Sequence, residues 1–219
     1  MSCCQGIEEV FSPEYVAGEL KRYRARGASR TTRFLIEGIR SFGVQGFRLL
    51  DIGGGLGTIQ HALLASGAST AVQVDASSAY LEASRQESQR LGLASRIDYL
   101  HGNFVDLAKD AEPAEIVTLD RVICCYGDMY KLLELSASHA KKILGLVYPR
   151  NTWWIKLGLR FQNAYLQLRR SPFRTYMHSS REVENIINAT GFRRMYYRET
   201  WIWQVAIFSR QPNDAHDII

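Results

Sequence analysis

Arg48-Leu49-Leu50-Asp51-Ile52-Gly53-Gly54-Gly55-Leu56-Gly57-Thr58 is the stretch that decides how this chain is read. An apolar run ends at an acidic residue and gives way to four glycines within five positions. Continuous apolar character without alternation marks a strand buried on both faces, as in a parallel sheet. Glycines directly after it predict a tight turn into a helix, with backbone left open to the close approach of a ligand.

Working outward, the same strand-then-helix alternation repeats. Strands are expected at Phe47–Ile52, Thr70–Asp75, Arg96–Leu100, Glu115–Asp120 and Ile143–Tyr148. Helices are expected at Thr58–Ser66, from Ser77 to Leu91, near Val105–Lys109, and at Asp128–Ala140. Right-handed βαβ units on a parallel sheet, with helices on both faces, are the architecture such alternation builds. Residues 1–11 are expected to be loose. Ser12 as cap and Pro13 in the first turn then start a helix carrying Tyr15, Val16, Leu20 and Tyr23. A second helix begins at Ser29 or Thr31 and is closed by Gly43 and Gly46. After the fifth strand, Asn151–Arg170 reads as an amphipathic helix with Trp154, Leu157, Phe161, Tyr165 and Leu168 on one stripe. A polar-aromatic connector through His178 leads to a helix at Arg181–Ala189, capped by Ser179, and then to two antiparallel strands, Phe192–Glu199 and Trp201–Ser209.

A length of 219 residues suits one domain with additions. The expected division is an N-terminal helical cap (1–46), a cofactor-binding core (47–148), a lid insertion (149–180), and a last helix with a β-hairpin (181–210). Hydrophobic content of 46% with 22% charged residues is that of a globular chain, and no stretch approaches the roughly 18 apolar residues of a membrane span. The N-terminus lacks a signal-peptide plan and a myristoylation glycine, and Asp217-Ile218-Ile219 is not a prenylation box, so a cytoplasmic location is expected. The cysteines fall in two adjacent pairs, Cys3-Cys4 and Cys124-Cys125, without zinc-site spacing. Reduced thiols and no metal are expected, with Cys124 and Cys125 packing beneath the site. The net charge of +5 is concentrated in Lys21, Arg22, Arg24, Arg26, Arg30 and Arg33, and again in Arg160, Arg169, Arg170 and Arg174. Nucleic acid, a membrane surface or an anionic small molecule would each complement it.

A glycine turn after a first strand serves nicotinamide dehydrogenases and S-adenosylmethionine enzymes alike. The nicotinamide pattern wants Gly-x-Gly-x-x-Gly. Here Gly53 and Gly55 fit it, but its third glycine falls on Thr58, and the glycines run Gly53-x-Gly55-x-Gly57 after Asp51. Asp75, followed by Ala76, ends the second strand, where a carboxylate can accept hydrogen bonds from both hydroxyls of a ribose. Asn103 and Phe104 follow the third strand: an amide there can bond an adenine edge while its neighbour packs on the ring face. Asp120 and Arg121 end the fourth strand, beside the cofactor's amino-acid portion. Asp51, Gly53, Gly54, Gly55, Gly57, Asp75, Ala76, Asn103, Phe104, Asp120 and Arg121 are therefore the candidate cofactor residues.

Leu-Leu-Asp-Ile-Gly-Gly-Gly-Leu-Gly, Val-Asp, Gly-Asn-Phe and Leu-Asp, in this order over residues 47–148, resemble the class I S-adenosylmethionine-dependent methyltransferases. The resemblance implies a Rossmann-like α/β fold: a seven-stranded, mostly parallel sheet with helices on both faces and a C-terminal antiparallel hairpin. It also implies S-adenosylmethionine as cofactor and S-adenosylhomocysteine as product. Tyr148-Pro149, Ser171-Pro172, Tyr176-Met177-His178-Ser179 and the closing tryptophan-rich strand are similar to the magnesium-protoporphyrin O-methyltransferase branch. The chain departs from that branch after the fourth strand, with Cys124-Cys125-Tyr126-Gly127 in place of His-Tyr-Pro.

The expected activity is methyl transfer to a small anionic or aromatic acceptor, with O-methylation favoured over N-methylation. The alternative is an RNA methyltransferase whose basic segments hold phosphates, although no Asn-Pro-Pro-Tyr motif follows the fourth strand. Peripheral membrane contact through the Trp153-Trp154 helix is a further expectation. A sulfonium donor is already activated, so alignment of the acceptor is the main requirement, with a base of use only for a hydroxyl. His178, Tyr126 and Tyr23 are the candidate catalytic residues, and Tyr176 a further one. Trp153, Trp154, Phe161, Phe173 and Tyr176 are expected to wall an apolar cavity.

Overall fold

The computed structural model describes residues 6–210; Cys3-Cys4 and the Asp217-Ile218-Ile219 end lie outside them. Seven strands form one sheet: β1 (Arg48–Ile52), β2 (Thr70–Asp75), β3 (Ile97–His101), β4 (Ala114–Asp120), β5 (Ala140–Pro149), β6 (Phe192–Glu199) and β7 (Trp203–Arg210), in the spatial order β3-β2-β1-β4-β5-β7-β6. The first five are mutually parallel, while β7 runs antiparallel to both β5 and β6. The order reverses between β1 and β4, and the crevice at the carboxyl ends of strands flanking such a point is where open α/β sheets place ligands.

Alternate residues of each central strand feed two separate cores. Leu50, Ile52, Val117, Leu119, Leu144, Leu146 and Phe208 pack on one face against α7 (Met129–His139) and α9 (Ser180–Ala189) through Leu132, Leu133, Val183 and Ile187. Leu49, Ile116, Ile143, Val147, Val205 and Ile207 pack on the other, against α3 (Arg30–Arg40) and α4 (Thr58–Ala65). Both faces being buried is why the strands read as unbroken apolar runs. The close seat of α3 depends on Gly145, where a Cβ would stand 2.8 Å from Leu35.

The N-terminal segment differs from expectation. Ile7–Val10 forms a short helix, α1, rather than a loose lead-in. Glu8 holds it down, accepting from the backbone N–H and hydroxyl of Ser78 (3.1 and 2.9 Å) at the start of α5 (Ser78–Arg90). The next helix, α2 (Pro13–Arg26), is capped by the Ser12 hydroxyl and fastened to α5 by Arg24, whose guanidinium lies 2.8 Å from the buried Glu87 carboxylate. Bonding to Arg90, and then to Arg24, keeps Glu87 below the ordinary glutamate range despite its burial. A one-turn helix, α6 (Phe104–Leu107), follows β3, and α8 (Trp153–Leu168) follows β5. Ser179 occupies the N-cap of α9 but makes no side-chain capping bond. No helix of the described residues is long and apolar enough to cross a membrane.

Candidate active site

The turn after β1 is built by backbone pairing. Gly53 N–H donates to Val74 O (2.7 Å), Gly57 N–H to Gly54 O (2.9 Å), and Gly55 N–H to Asp75 Oδ2 (2.9 Å). At Gly53, with φ of 63°, a Cβ would collide with Val122. At Gly55, with φ of 56°, a Cβ would meet only the Tyr80 ring at 3.8 Å, so the space above this residue belongs to a cavity. Gln73 supports the turn from below: it donates to Gly55 O (2.8 Å) and accepts from Gln60 (2.7 Å) and Ser84 (2.6 Å). The one signal of this buried polar cluster in the sequence is the glutamine within Ala-Val-Gln-Val.

The cavity encloses about 960 Å³. Gly53, Gly54, Gly55, Asp75, Ala76, Asn103, Phe104, Asp120 and Arg121 all line it, as do Tyr23 and Tyr126. Nine of the eleven candidate cofactor residues thus come together around one space. Gly57 and Asp51 do not line it. Gly57 caps α4 from behind the turn, and Asp51 is fully buried beneath it, Oδ1 accepting from Thr118 Oγ1 at 2.6 Å while Oδ2 lacks a partner among the described residues. Burial pushes the Asp51 carboxyl up to about 7, with the Thr118 bond opposing.

Asp75 differs in being held as an acceptor from two sides. Its Oδ1 accepts from Ser77 N–H at 2.9 Å and its Oδ2 from Gly55 N–H. Desolvation raises its pKa, and these two N–H bonds work against that rise. Each carboxylate oxygen keeps lone-pair capacity toward the cavity beyond these bonds. The Asn103 carboxamide is engaged locally: Oδ1 caps α6 by accepting from Val105 N–H (3.2 Å), and Nδ2 donates to Asp106 (2.9 Å) and to the Tyr126 hydroxyl (3.2 Å). The amide therefore shapes the corner beside Phe104 as a helix cap.

Asp120 and Arg121 are tied to the start of α3. Thr32 Oγ1 donates to Asp120 Oδ2 (2.5 Å), and Arg121 Nη2 donates to Ser29 Oγ (2.5 Å) and Thr32 Oγ1 (3.1 Å). Arg121 also lies over the Trp203 ring, 5.5 Å from its centroid. Desolvation raises the Asp120 carboxyl, with Arg121 and Thr32 opposing. Arg121 has φ of 64°, a left-handed conformation costly for a residue with a side chain and held here by its surroundings.

Three expectations are corrected. His178 does not line the cavity: its Nε2 lies 2.8 Å from Ile123 O and 3.0 Å from Tyr126 O, so this nitrogen carries the proton and pins the connector to the loop after β4. Desolvation lowers its pKa, with the two carbonyls opposing. The apolar wall also differs. Phe173 lines the cavity, but Trp153 and Phe161 point outward with 76% and 69% exposure, and Tyr176 is exposed against His178. From α8 the cavity receives Ile155, Leu159 and Gln162, the opposite side of the helix. The roof comes from the N-terminal segment, where the Phe11 ring meets those of Tyr15, Tyr80 and Phe173. Cys124 and Cys125 line the cavity rather than packing beneath it, their sulfurs 3.8 Å apart. Arg26 and Arg33 also reach the lining, and their guanidinium groups make no ion pair or hydrogen bond among the described residues.

Residues 50–142 match the family model described as "Methyltransferase domain". A ribosomal protein L11 methyltransferase from Yersinia pseudotuberculosis is 33% identical over 90 residues, 41% of this chain and 28% of that protein, so the chain matches little over a quarter of the length of such relatives. Among solved structures, the magnesium protoporphyrin IX methyltransferase from Synechocystis PCC 6803 with bound SAH superposes with a TM-score of 0.71 at 17% identity, over 94% of this chain and 98% of that one. An O-methyltransferase family protein from Burkholderia thailandensis gives 0.67 at 15% identity, over 97% of this chain and 65% of that one. The glycine turn, the acid after β2, the β3-β2-β1-β4-β5-β7-β6 sheet and the matched segment agree: residues 50–142 match a methyltransferase domain, and the chain has the fold of the class I S-adenosylmethionine-dependent methyltransferases.

Proposed function

We propose that this chain transfers the methyl group of S-adenosylmethionine to an oxygen of a small anionic acceptor. The observation that carries the reading is the placement of Asp75 beside the open space over Gly55, in a cavity that continues to Arg26 and Arg33. Its volume lies at the upper end of the roughly 300–1,000 Å³ usual for ligand pockets, room for a cofactor and an acceptor together. Asp75 would hold a ribose through both hydroxyls, Phe104 would pack on the adenine, and Asp120 with Arg121 would receive the amino-acid end. The cofactor supplies a sulfonium methyl that needs no further activation.

The chain's own contribution is alignment and exclusion of water. Arg26 and Arg33 would fix a carboxylate or phenolate, and Phe11, Phe173 and Ile155 close the cavity around it. A carboxylate acceptor is nucleophilic without a base, which suits a site where His178 is committed to backbone carbonyls. Tyr126, placed by Asn103, and Tyr23, whose hydroxyl pKa is raised by burial, are positioning groups in this reading.

An RNA acceptor would use the same arginines on phosphates. It is disfavoured because part of the basic surface is spent within the molecule: Arg24 on Glu87, Arg150 on Glu199, and Arg174 on the carbonyls of Ser171 and Phe173. A salt-sensitive gel shift with tRNA would favour RNA instead.

The test is calorimetric titration with S-adenosylhomocysteine. Loss of charge-assisted bonds to the ribose should weaken binding by Asp75→Ala about 10- to 100-fold. Equal affinities for the two proteins would remove the ribose assignment, and absence of binding to the unaltered chain would remove the methyl-transfer reading itself.

A further inference from the structure

An amphipathic helix in a folded protein ordinarily turns its apolar stripe inward. α8 carries two apolar faces, and only one of them is inward. Ile155 and Leu159 face the cavity, while Trp153, Leu157, Phe161, Tyr165 and Leu168 face away from the molecule with exposures of 76%, 44%, 69%, 60% and 81%. At 3.6 residues per turn these five span an arc of about 120°. The tip of the β6–β7 hairpin continues the patch: Trp201 is 83% exposed, and its ring lies 6.1 Å from that of Trp154.

The charge around this surface has one sign. Residues 150–181 contain seven arginines and lysines and no aspartate or glutamate. Lys156 and Arg160 flank the stripe along the helix, Arg169 and Arg170 stand at its end, and none of the four makes an ion pair among the described residues. The nearby Glu199 is paired with Arg150 at 3.1 Å.

We propose that the outer face of α8 and the Trp201 turn dock this chain onto an anionic lipid surface. Exposed aromatic and aliphatic side chains flanked by unpaired cations are what an interfacial helix presents, the apolar stripe entering the headgroup–acyl boundary and the cations meeting anionic headgroups. A second copy of the chain fits this face poorly, because a two-fold contact through the stripe brings like charges together at its margins. Docking leaves the opposite side of the helix in place over the cavity, so the proposal stands independently of the methyl-transfer reading.

Sedimentation with vesicles tests it, using phosphatidylglycerol–phosphatidylcholine mixtures against phosphatidylcholine alone. The chain should pellet with the anionic vesicles and be released as salt is raised. Phe161→Ser combined with Leu168→Ser should weaken partitioning at least tenfold. Lys156→Gln with Arg160→Gln should weaken it by roughly fivefold per charge on anionic vesicles only. Because all four side chains face solvent, the thermal midpoints should stay within a few degrees of the unaltered chain, and quenching of tryptophan fluorescence by brominated lipid gives a readout that needs no variant. Failure to pellet with anionic vesicles overturns the proposal. So does binding that neither double variant changes, or light scattering that shows a dimer dispersed by Phe161→Ser without vesicle binding.

Discussion

Asp51 and Asp75 end neighbouring strands, yet their surroundings set them apart. Asp75 accepts two backbone N–H bonds at the cavity edge, whereas Asp51 sits beneath the glycine turn with one partner, Thr118, and a carboxyl pushed up to about 7 by burial. A folded-state pKa above the ordinary value of 3.8 means that the folded chain holds the proton more tightly across that window. Its contribution to stability is therefore fully present below about pH 4 and is lost as pH rises toward 7. The span corresponds to at most on the order of 4 kcal/mol. Asp51→Asn keeps an acceptor for Thr118 and cannot ionise, so its melting temperature should fall less than that of the unaltered chain between about pH 5 and 8. Parallel melting curves would show that Asp51 does not titrate in that range. Arg26 and Arg33 make the second expectation at this scale. If they hold the acceptor's negative charge, Arg26→Gln with Arg33→Gln should raise KM for aromatic carboxylates about 10- to 100-fold with little loss of kcat, measured by transfer of a labelled methyl group. An unchanged KM would argue against an anionic acceptor at this position.

At the scale of elements, the start of α3 does more than begin a helix. Ser29 caps it by accepting from Thr32 N–H at 3.3 Å, and its hydroxyl also contacts Thr32 Oγ1 and Arg121 Nη2. The cap thereby couples the helix to the strained residue after β4. Ser29→Ala should cost about 1 kcal/mol or somewhat more, a drop of roughly 2–4 °C in melting temperature for a chain of this size. No drop would mean that solvent replaces these bonds at no cost. α8 shows how an element can be found and its orientation missed. Its stripe was legible, but a stripe gives only a face, and the cavity takes the side bearing Ile155 and Leu159. The short α1 has no legible signal in the sequence, because four residues are too few to show a period and because Glu8 ties it to Ser78, 70 positions away.

For the whole molecule, the hairpin continues the sheet rather than decorating it. Phe208 on β7 is fully buried beside Leu144 of β5 and belongs to the same core as Leu50 and Leu119. Phe208→Ala should cost about 3–5 kcal/mol, a large share of the roughly 5–15 kcal/mol that holds such a chain folded. Urea unfolding should show one cooperative transition at a lower midpoint; separate transitions would mean that the hairpin folds as its own unit. The sequence alone determined the alternation of strands and helices, the glycine turn, and a set of residues that the fold brings to one cavity. Those features are written in local spacing, because strand burial, turn geometry and helix period act over a few neighbours. Only the tertiary structure decided that Asp51 supports the turn from beneath, that Asn103 is a cap, that His178 clips a loop, and that the aromatic face of α8 looks outward. Two of those outcomes rest on partners far along the chain: Thr118 lies 67 positions from Asp51, and Ile123 lies 55 from His178. Pairings at such separations are settled by packing and carry no local pattern from which they could be read.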